Sequence, residues 1–381
     1  MRILFTGGGS GGHFYPIISI AEEMKNLAKE KKLIELELFF MSPSPYDANL
    51  LFETGITYKK NSAGKLRRAP GVLSLFRNFI DFFKTGWGIL TSIVQVYNMY
   101  PDVIFGKGGY ASFPALLAGK LLRIPVVIHE SDTVPGRVNL WAGRFAERIA
   151  VSYKEASASF PLGKVAYTGQ PVRRQIAMPI VSGAREFLKL EEGLPVVLIL
   201  GGSQGARRIN DALFGVLKDL VEKCAIIHQV GQSNLEEARM ISEAILFDSP
   251  HKDRYKLFGY LNQLALRMSA GVAVVVVSRA GSSIFEIASW GVPAIIIPIN
   301  ERVSRDQHTN AFAYARAGAC EVIEEENLTP HILASEIERL INNDPLREKM
   351  SASAKAFYRP SAAREIAEEI LKIALEHEVE K

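Results

Sequence analysis

Arg2-Ile-Leu-Phe-Thr6 runs directly into Gly7-Gly-Gly-Ser-Gly-Gly12, and Val197-Leu-Ile-Leu200 runs into Gly201-Gly-Ser-Gln-Gly205. Each is a short β-rich run, then a glycine turn, then the start of a helix. A chain that opens this way twice is built as two domains of similar plan. Outward from these two points the alternation continues. Glu35–Phe40, Asp102–Phe105, Pro125–His129 and Arg148–Val151 read as further strands of the first half; Pro195–Leu200, Ala225–Val230, Ala273–Val277, Pro293–Pro298 and Cys320–Ile323 read as strands of the second. Val274–Val277 and Ala294–Ile297 are apolar at every position, as strands covered on both faces must be. The expected class is α/β, two doubly wound domains with helices on both faces of each sheet.

The boundary is expected where Pro161, Gly163, Gly169, Pro171 and Pro179 punctuate the chain, giving domains 1–165 and 166–358. A last helix over 360–378 can pack back on either domain, and is assigned to the first. The 381 residues are 48% apolar and 23% charged, which excludes disorder and fibrous folds. Two cysteines, Cys224 and Cys320, exclude a disulfide framework and point to a reducing compartment. Met1 leads straight into the first strand without a secretory leader, so a cytoplasmic location is expected.

Net charge is +4, too little to imply nucleic acid, but it is unevenly placed. Between Lys59 and Lys84 seven cations face one anion, Asp81, so the rest of the chain is net negative. In the same segment Phe76, Phe79, Ile80, Phe83 and Trp87 recur at helical spacing, with Arg67 and Arg68 just before. Aromatics on one face with cations nearby describe a helix lying in an anionic membrane surface. The competing reading is a helix whose aromatic face covers the sheet. A membrane span is not expected, because Thr85–Pro101 is short and holds Gly86, Gly88, Gln95 and Asn98.

A glycine turn between strand and helix lets the backbone approach a phosphate and aims N–H groups and the helix dipole at it. Gly7–Gly12 is such a turn and ends in His13; a tight turn with no ligand is the plainer alternative. No Gly-Lys-Ser/Thr follows, which excludes a Walker loop. Gly106-Lys-Gly-Gly-Tyr110, Gly201–Gly205 and Arg279-Ala-Gly-Ser-Ser283 are loops of the same kind after other strands. In parallel sheets such strand ends face one crevice, so the four loops are expected to grip a shared phosphate-bearing ligand. Glu286, one turn into the helix after Arg279, suits the two hydroxyls of a ribose. Asp306, Gln307, His308 and Asn310 suit sugar hydroxyls, with a helix N-cap as the other role for Asp306. His129-Glu130-Ser-Asp132 offers three ionisable groups at a strand end for acid–base chemistry, or a structural histidine. No Asp-x-Asp or clustered His and Cys suggests a metal, and no cofactor is expected.

Taken in order, Gly7–Pro16, Gly106–Pro114, His129–Gly136, Gly169–Arg173, Gly201–Asn210, Ser278–Pro293 and Gln307–Ala311 resemble the glycosyltransferase family 28 enzymes of peptidoglycan synthesis. The resemblance implies the GT-B fold, with two Rossmann-like domains facing a central cleft. It implies UDP-N-acetylglucosamine as donor and lipid I, undecaprenyl-diphosphate-linked N-acetylmuramoyl-pentapeptide, as acceptor. It further implies inversion at the anomeric carbon on the cytoplasmic face of the plasma membrane, beside other cell-wall synthesis proteins. Ser10, Gly11 and Gly12 would lie in the first donor loop, Tyr110 in the acceptor-side loop and Arg173 beside the diphosphate. Ser203, Asn210, Ser282 and Ser283 would lie in the second-domain loops. Glu286 would hold the ribose, Gln307 the sugar, and the Leu261 backbone the uracil. His13 is the first choice of base, with Glu130 and Asp132 as alternatives. This chain departs from the family in carrying Asp132 for the usual Asn and Asp306 for Gln or His. The Arg279–Glu286 stretch is also one residue shorter. Rival readings are another transferase of the same fold with a different acceptor, a nicotinamide-dependent enzyme, and a non-catalytic membrane adaptor.

Overall fold

Ile3 and Phe5 of the first strand enter one apolar cluster, and the intervening Leu4 enters another. Val103 and Phe105 divide from Ile104 in the same manner. Successive side chains of a strand point to opposite faces, so a run apolar at every position builds two cores at once. That is why these runs form the middle of a sheet and require helices on both sides.

The computed structural model describes residues 1–8, 10–32, 35–65, 72–202, 205–300 and 304–379, and only the backbone of 72–77, 305, 378 and 379. The chain divides into two compact units, Met1–Arg173 with Arg359–Lys381, and Arg174–Tyr358. In the first, strands β1 (Arg2–Thr6), β2 (Glu37–Ser42), β3 (Ile56–Lys60), β4 (Val103–Gly106), β5 (Val126–Glu130), β6 (Arg148–Val151) and β7 (Val165–Tyr167) form one parallel sheet in the order 3-2-1-4-5-6-7. In the second, β8 (Val196–Leu200), β9 (Ala225–Gln229), β10 (Tyr255–Phe258), β11 (Ala273–Ser278), β12 (Ala294–Ile296) and β13 (Cys320–Val322) form another, in the order 10-9-8-11-12-13.

One expectation is corrected. The boundary lies between 173 and 174, later than 165, because Val165–Tyr167 pairs with β6 as the edge of the first sheet. The final helix, Ala362–Val379, belongs to the first unit: Ile366, Ile370 and Leu371 enter its core beside helix Gly11–Glu30.

Doubly wound sheets bind ligands where the strand order reverses. In the first sheet that point lies between β1 and β4, where Thr6 pairs with Gly106. In the second it lies between β8 and β11, where Leu200 pairs with Ser278. The four glycine-bearing loops of the sequence leave these four strand ends, two at each switch point.

Candidate active site

At the first switch point the loops touch. Gly109 has φ +78°, and a β-carbon there would stand 3.3 Å from Gly8 O and 3.5 Å from His13 Cε1. Glycine is needed for the conformation and for the approach. His13 lies in the first turn of helix Gly11–Glu30, with Nδ1 3.0 Å from Ser10 Oγ. Burial, and secondarily Lys107, push its pKa down to about 4, so the imidazole is neutral and able to accept a proton. Gly11 and Gly12 begin that helix, and Tyr110 opens the short helical turn after Gly109.

Beside them, β5 delivers His129, Glu130, Ser131 and Asp132. Glu130 is buried, and all its acceptor positions are taken. Oε1 accepts from the N–H of Ser131 (2.7 Å) and Asp132 (3.0 Å); Oε2 accepts from Gly136 N (2.9 Å) and Asn139 Nδ2 (2.9 Å). Burial and Asp132 raise its pKa against the pull of these bonds. A carboxylate so enclosed has no lone pair to offer a substrate proton. Glu130 is thus corrected from candidate base to the bracket that shapes the loop to Gly136. His129 is likewise internal: Nε2–H donates to Gly169 O (3.1 Å), and burial holds its pKa well below the usual histidine value. Asp132, half-buried at the turn, keeps its place among the acid–base candidates.

Lys107 was not singled out from the sequence, although it stands inside Gly106–Tyr110. It is 1% exposed, and its Nζ donates to Ser131 Oγ. Ser131 Oγ donates to Gln170 Oε1 (3.1 Å), which also accepts from Ser152 Oγ (2.7 Å). Gln170 belongs to Gly169–Arg173, whose Arg173 guanidinium stacks 4.2 Å over the Tyr15 ring. No sequence signal marks a buried lysine, because lysine is among the residues least often enclosed.

At the second switch point, Ser283 Oγ lies 3.2 Å from Ser278 Oγ and donates to Arg279 O (3.3 Å) at the start of helix Ser283–Trp290. Ser282 is the N-cap residue, and Glu286 lies half-buried in the first turn. Arg279 donates to Ile297 O (3.1 Å) and Glu325 Oε1 (2.6 Å), and Glu325 Oε2 accepts from Asn300 N (3.2 Å). This ion pair, also unsuspected from sequence, ties the loop after β11 to the segment after β13, and both partners hold the loop after β12. Gln307 Oε1 accepts from Ile299 N (3.3 Å). Asp306 is exposed in the first turn of helix Arg305–Arg316, and the N-cap position itself is Ser304, whose side chain makes no capping hydrogen bond.

Two further assignments change. Asn210 is 4% exposed and spent internally: Oδ1 accepts from His228 Nε2 (3.0 Å) and Nδ2 donates to Val230 O (3.3 Å). It shapes the loop after β9 and does not face a ligand. The Leu261 N–H is taken by Gln229 Oε1 (2.9 Å), which leaves only its carbonyl for a base contact. Ser203 lies outside the described residues, as do Arg67, Arg68 and the side chain of Phe76.

Helix Val72–Met99 turns most of its described aromatic and large apolar residues between 79 and 97 outward. Phe79 (62%), Phe83 (60%) and Trp87 (65%) are exposed, with Ile80, Phe82, Leu90, Val94 and Tyr97. The covered face is mixed: Val96 and Met99 enter the core of the first unit, and toward the other end of the helix polar contacts take over. Ser92 accepts from Asn61 Nδ2 (3.4 Å), Thr85 Oγ1 from Gly64 N (3.0 Å), and Gln95 donates to Lys60 O (3.0 Å). At Gly88 a β-carbon would fall 1.6 Å from Ser62 O, so the strap 60–65 lies directly on the backbone. The sheet-covering reading is excluded for Phe79, Phe83 and Trp87. Among the described residues no helix is long and apolar enough to cross a membrane.

Two parallel α/β sheets, each with glycine loops and helix N-termini at its switch point, are the two Rossmann-like domains of the GT-B fold. The Glycosyltransferase family 28 N-terminal domain matches residues 3–151 and its C-terminal domain residues 196–369; the chain belongs to that family and is a glycosyltransferase. It is similar to the UDP-N-acetylglucosamine--N-acetylmuramyl-(pentapeptide) pyrophosphoryl-undecaprenol N-acetylglucosamine transferase of Treponema denticola, 34% identical over 92% of this chain and 93% of the relative. It is equally similar (34%) to the second such transferase of Bacillus cereus, over 97% and 99%. Among solved structures, Acinetobacter baumannii MurG matches with a TM-score of 0.72 over 97% and 99% of the two chains, at 24% identity. A UDP-GlcNAc 2-epimerase from Neisseria meningitidis bound to UDP-GlcNAc reaches 0.66 over 98% and 100%, at 16%. These two likenesses show the fold.

Proposed function

We propose that this glycosyltransferase moves N-acetylglucosamine from UDP-N-acetylglucosamine to N-acetylmuramoyl-pentapeptide carried on undecaprenyl diphosphate, converting lipid I to lipid II. The observation that carries the reading is the pair of relatives named for that activity, matched over more than nine-tenths of both chains. The acceptor's 4-hydroxyl oxygen forms the new bond to the anomeric carbon as the bond to the diphosphate breaks, with inversion. The electron pair leaves with UDP, and the hydroxyl proton passes to His13, whose neutral imidazole supports this role over the enclosed Glu130. Charge growing on the diphosphate is met by loop N–H groups and the dipole of helix Ser283–Trp290. Glu286 holds the ribose and Gln307 the sugar.

The outward apolar face of helix Val72–Met99 seats the enzyme on an anionic membrane surface, at the cytoplasmic side where the lipid-linked acceptor is presented. Incubation with labelled UDP-N-acetylglucosamine and lipid I tests the reaction. Labelled lipid II and UDP should appear in equal amounts. Free sugar, or a donor epimerised without transfer, would overturn the reading. His13→Ala should then lower kcat by about 100-fold or more at saturating substrates; near-normal turnover removes the histidine from the role.

A further inference from the structure

We infer that Lys107 is a positioning residue of the acceptor side, its buried ammonium tying the loop that carries Asp132 to the glycine turn that carries His13. The inference rests on the transferase reading. Lysine at 1% exposure is held only where its charge is answered. Here the answering groups come from every element around it. Glu130 and Asp132 stand on the acidic side; His13 from helix Gly11–Glu30 and His129 from β5 are kept neutral by burial first and by the lysine's field second.

The chain placement is as direct. Lys107 N donates to Thr6 O (2.8 Å) at the last residue of β1, and a β-carbon on Gly7 would stand 3.0 Å from Lys107 Cβ. Its backbone thus belongs to the glycine turn. Its side chain reaches Ser131, one residue before Asp132, and through Ser131 and Gln170 the loop that ends in Arg173. One side chain therefore fixes the spacing of three loops. In a buried network of this kind, removing the cation leaves a carboxylate without its counter-charge, and the loop must rearrange to reach water. Asp132, half-buried, is the carboxylate able to do so; Glu130 is locked by its four N–H donors.

Lys107→Met, which keeps length and removes charge, is tested beside Asp132→Asn and the double variant. Each is first checked by thermal melt. For K107M the acceptor KM should rise at least tenfold while UDP affinity by calorimetry stays within twofold. The double variant should lose less than the product of the two single losses, by at least threefold, because the uncompensated carboxylate is gone. The acid limb of kcat/KM in K107M should also move to higher pH, since His13 loses a neighbouring cation. An acceptor KM within twofold of wild type, or fully multiplicative losses, would overturn the inference. If K107M does not fold, Ser131→Ala cuts the same tie while keeping the Lys107 charge beside Glu130 and Asp132. It should raise the acceptor KM at least threefold, and a change below twofold would overturn the inference as well. Wild-type protein that makes no lipid-linked disaccharide would instead count against the transferase reading itself.

Discussion

His228 shows how a single residue fixes a loop. Tyr255 Oη donates to its Nδ1 (2.9 Å), and its Nε2–H donates to Asn210 Oδ1, whose Nδ2 is committed to Val230 O. Each group has one role left once its neighbour's is set, so the imidazole is neutral with the proton on Nε2. Burial lowers its pKa to about 3. The unfolded chain binds a proton near pH 6.5 that the folded chain refuses, so this contribution to stability is complete above 6.5 and is lost as pH falls. The loss is about 1.4 kcal/mol per pH unit down to pH 3. Urea unfolding of wild type and His228→Gln between pH 7 and 5 checks this: the wild-type slope should be steeper by that amount, and equal slopes would refute it. At this scale the sequence is readable only in part. His13 and Glu286 stand out because they follow glycine turns at fixed offsets. Asn210 misleads, and Lys107 passes unnoticed, because polar residues in a loop motif look alike whether they face a ligand or are consumed beneath it.

Among the elements, the strands absent from the sequence reading share a position. β3, β7 and β10 are all sheet edges, and most of their residues are partly exposed. An edge strand is covered less than a central one, so it lacks the unbroken apolar run that reveals β1 or β11, and Ile56-Thr-Tyr-Lys-Lys60 reads as a loop. Helix Val72–Met99 is the opposite case. Its aromatic spacing is plain in the sequence, but which face turns outward depends on Gly64 and Gly88, where strap and helix backbones meet. Phe83→Glu with Trp87→Glu tests the consequence. Both residues are about two-thirds exposed, so the melting temperature should hold within about 2 °C, as for other surface substitutions. Withdrawing two large side chains from a lipid surface costs roughly 3–6 kcal/mol, so partitioning onto anionic vesicles should fall at least about 100-fold. Undiminished flotation at low salt would place the membrane contact elsewhere.

Over the whole molecule, the second unit is an insertion: the chain leaves the first unit after Arg173 and returns at Arg359. Pro360 and an apolar stripe announce a final helix, but the same stripe would serve either sheet, so its destination is decided by packing alone. Ile366, Ile370, Leu371 and Ile373 fill the groove beside helix Gly11–Glu30. Burying four such side chains contributes about 6–12 kcal/mol, comparable to the 5–15 kcal/mol that holds a typical domain together. The ion pairs Arg364–Glu30 (2.7 Å) and Arg148–Glu369 (2.8 Å) flank the contact at the surface and add little. A chain ending at Tyr358 should therefore lose the first unit and keep the second, whose own core lacks nothing from the removed helix. Hydrogen exchange read by peptide would show residues 1–173 unprotected within seconds while β8, β9 and β11 retain their protection. Equal protection in both units would mean that the groove beside Gly11–Glu30 closes without the helix, and that the returning segment is not what completes the first core.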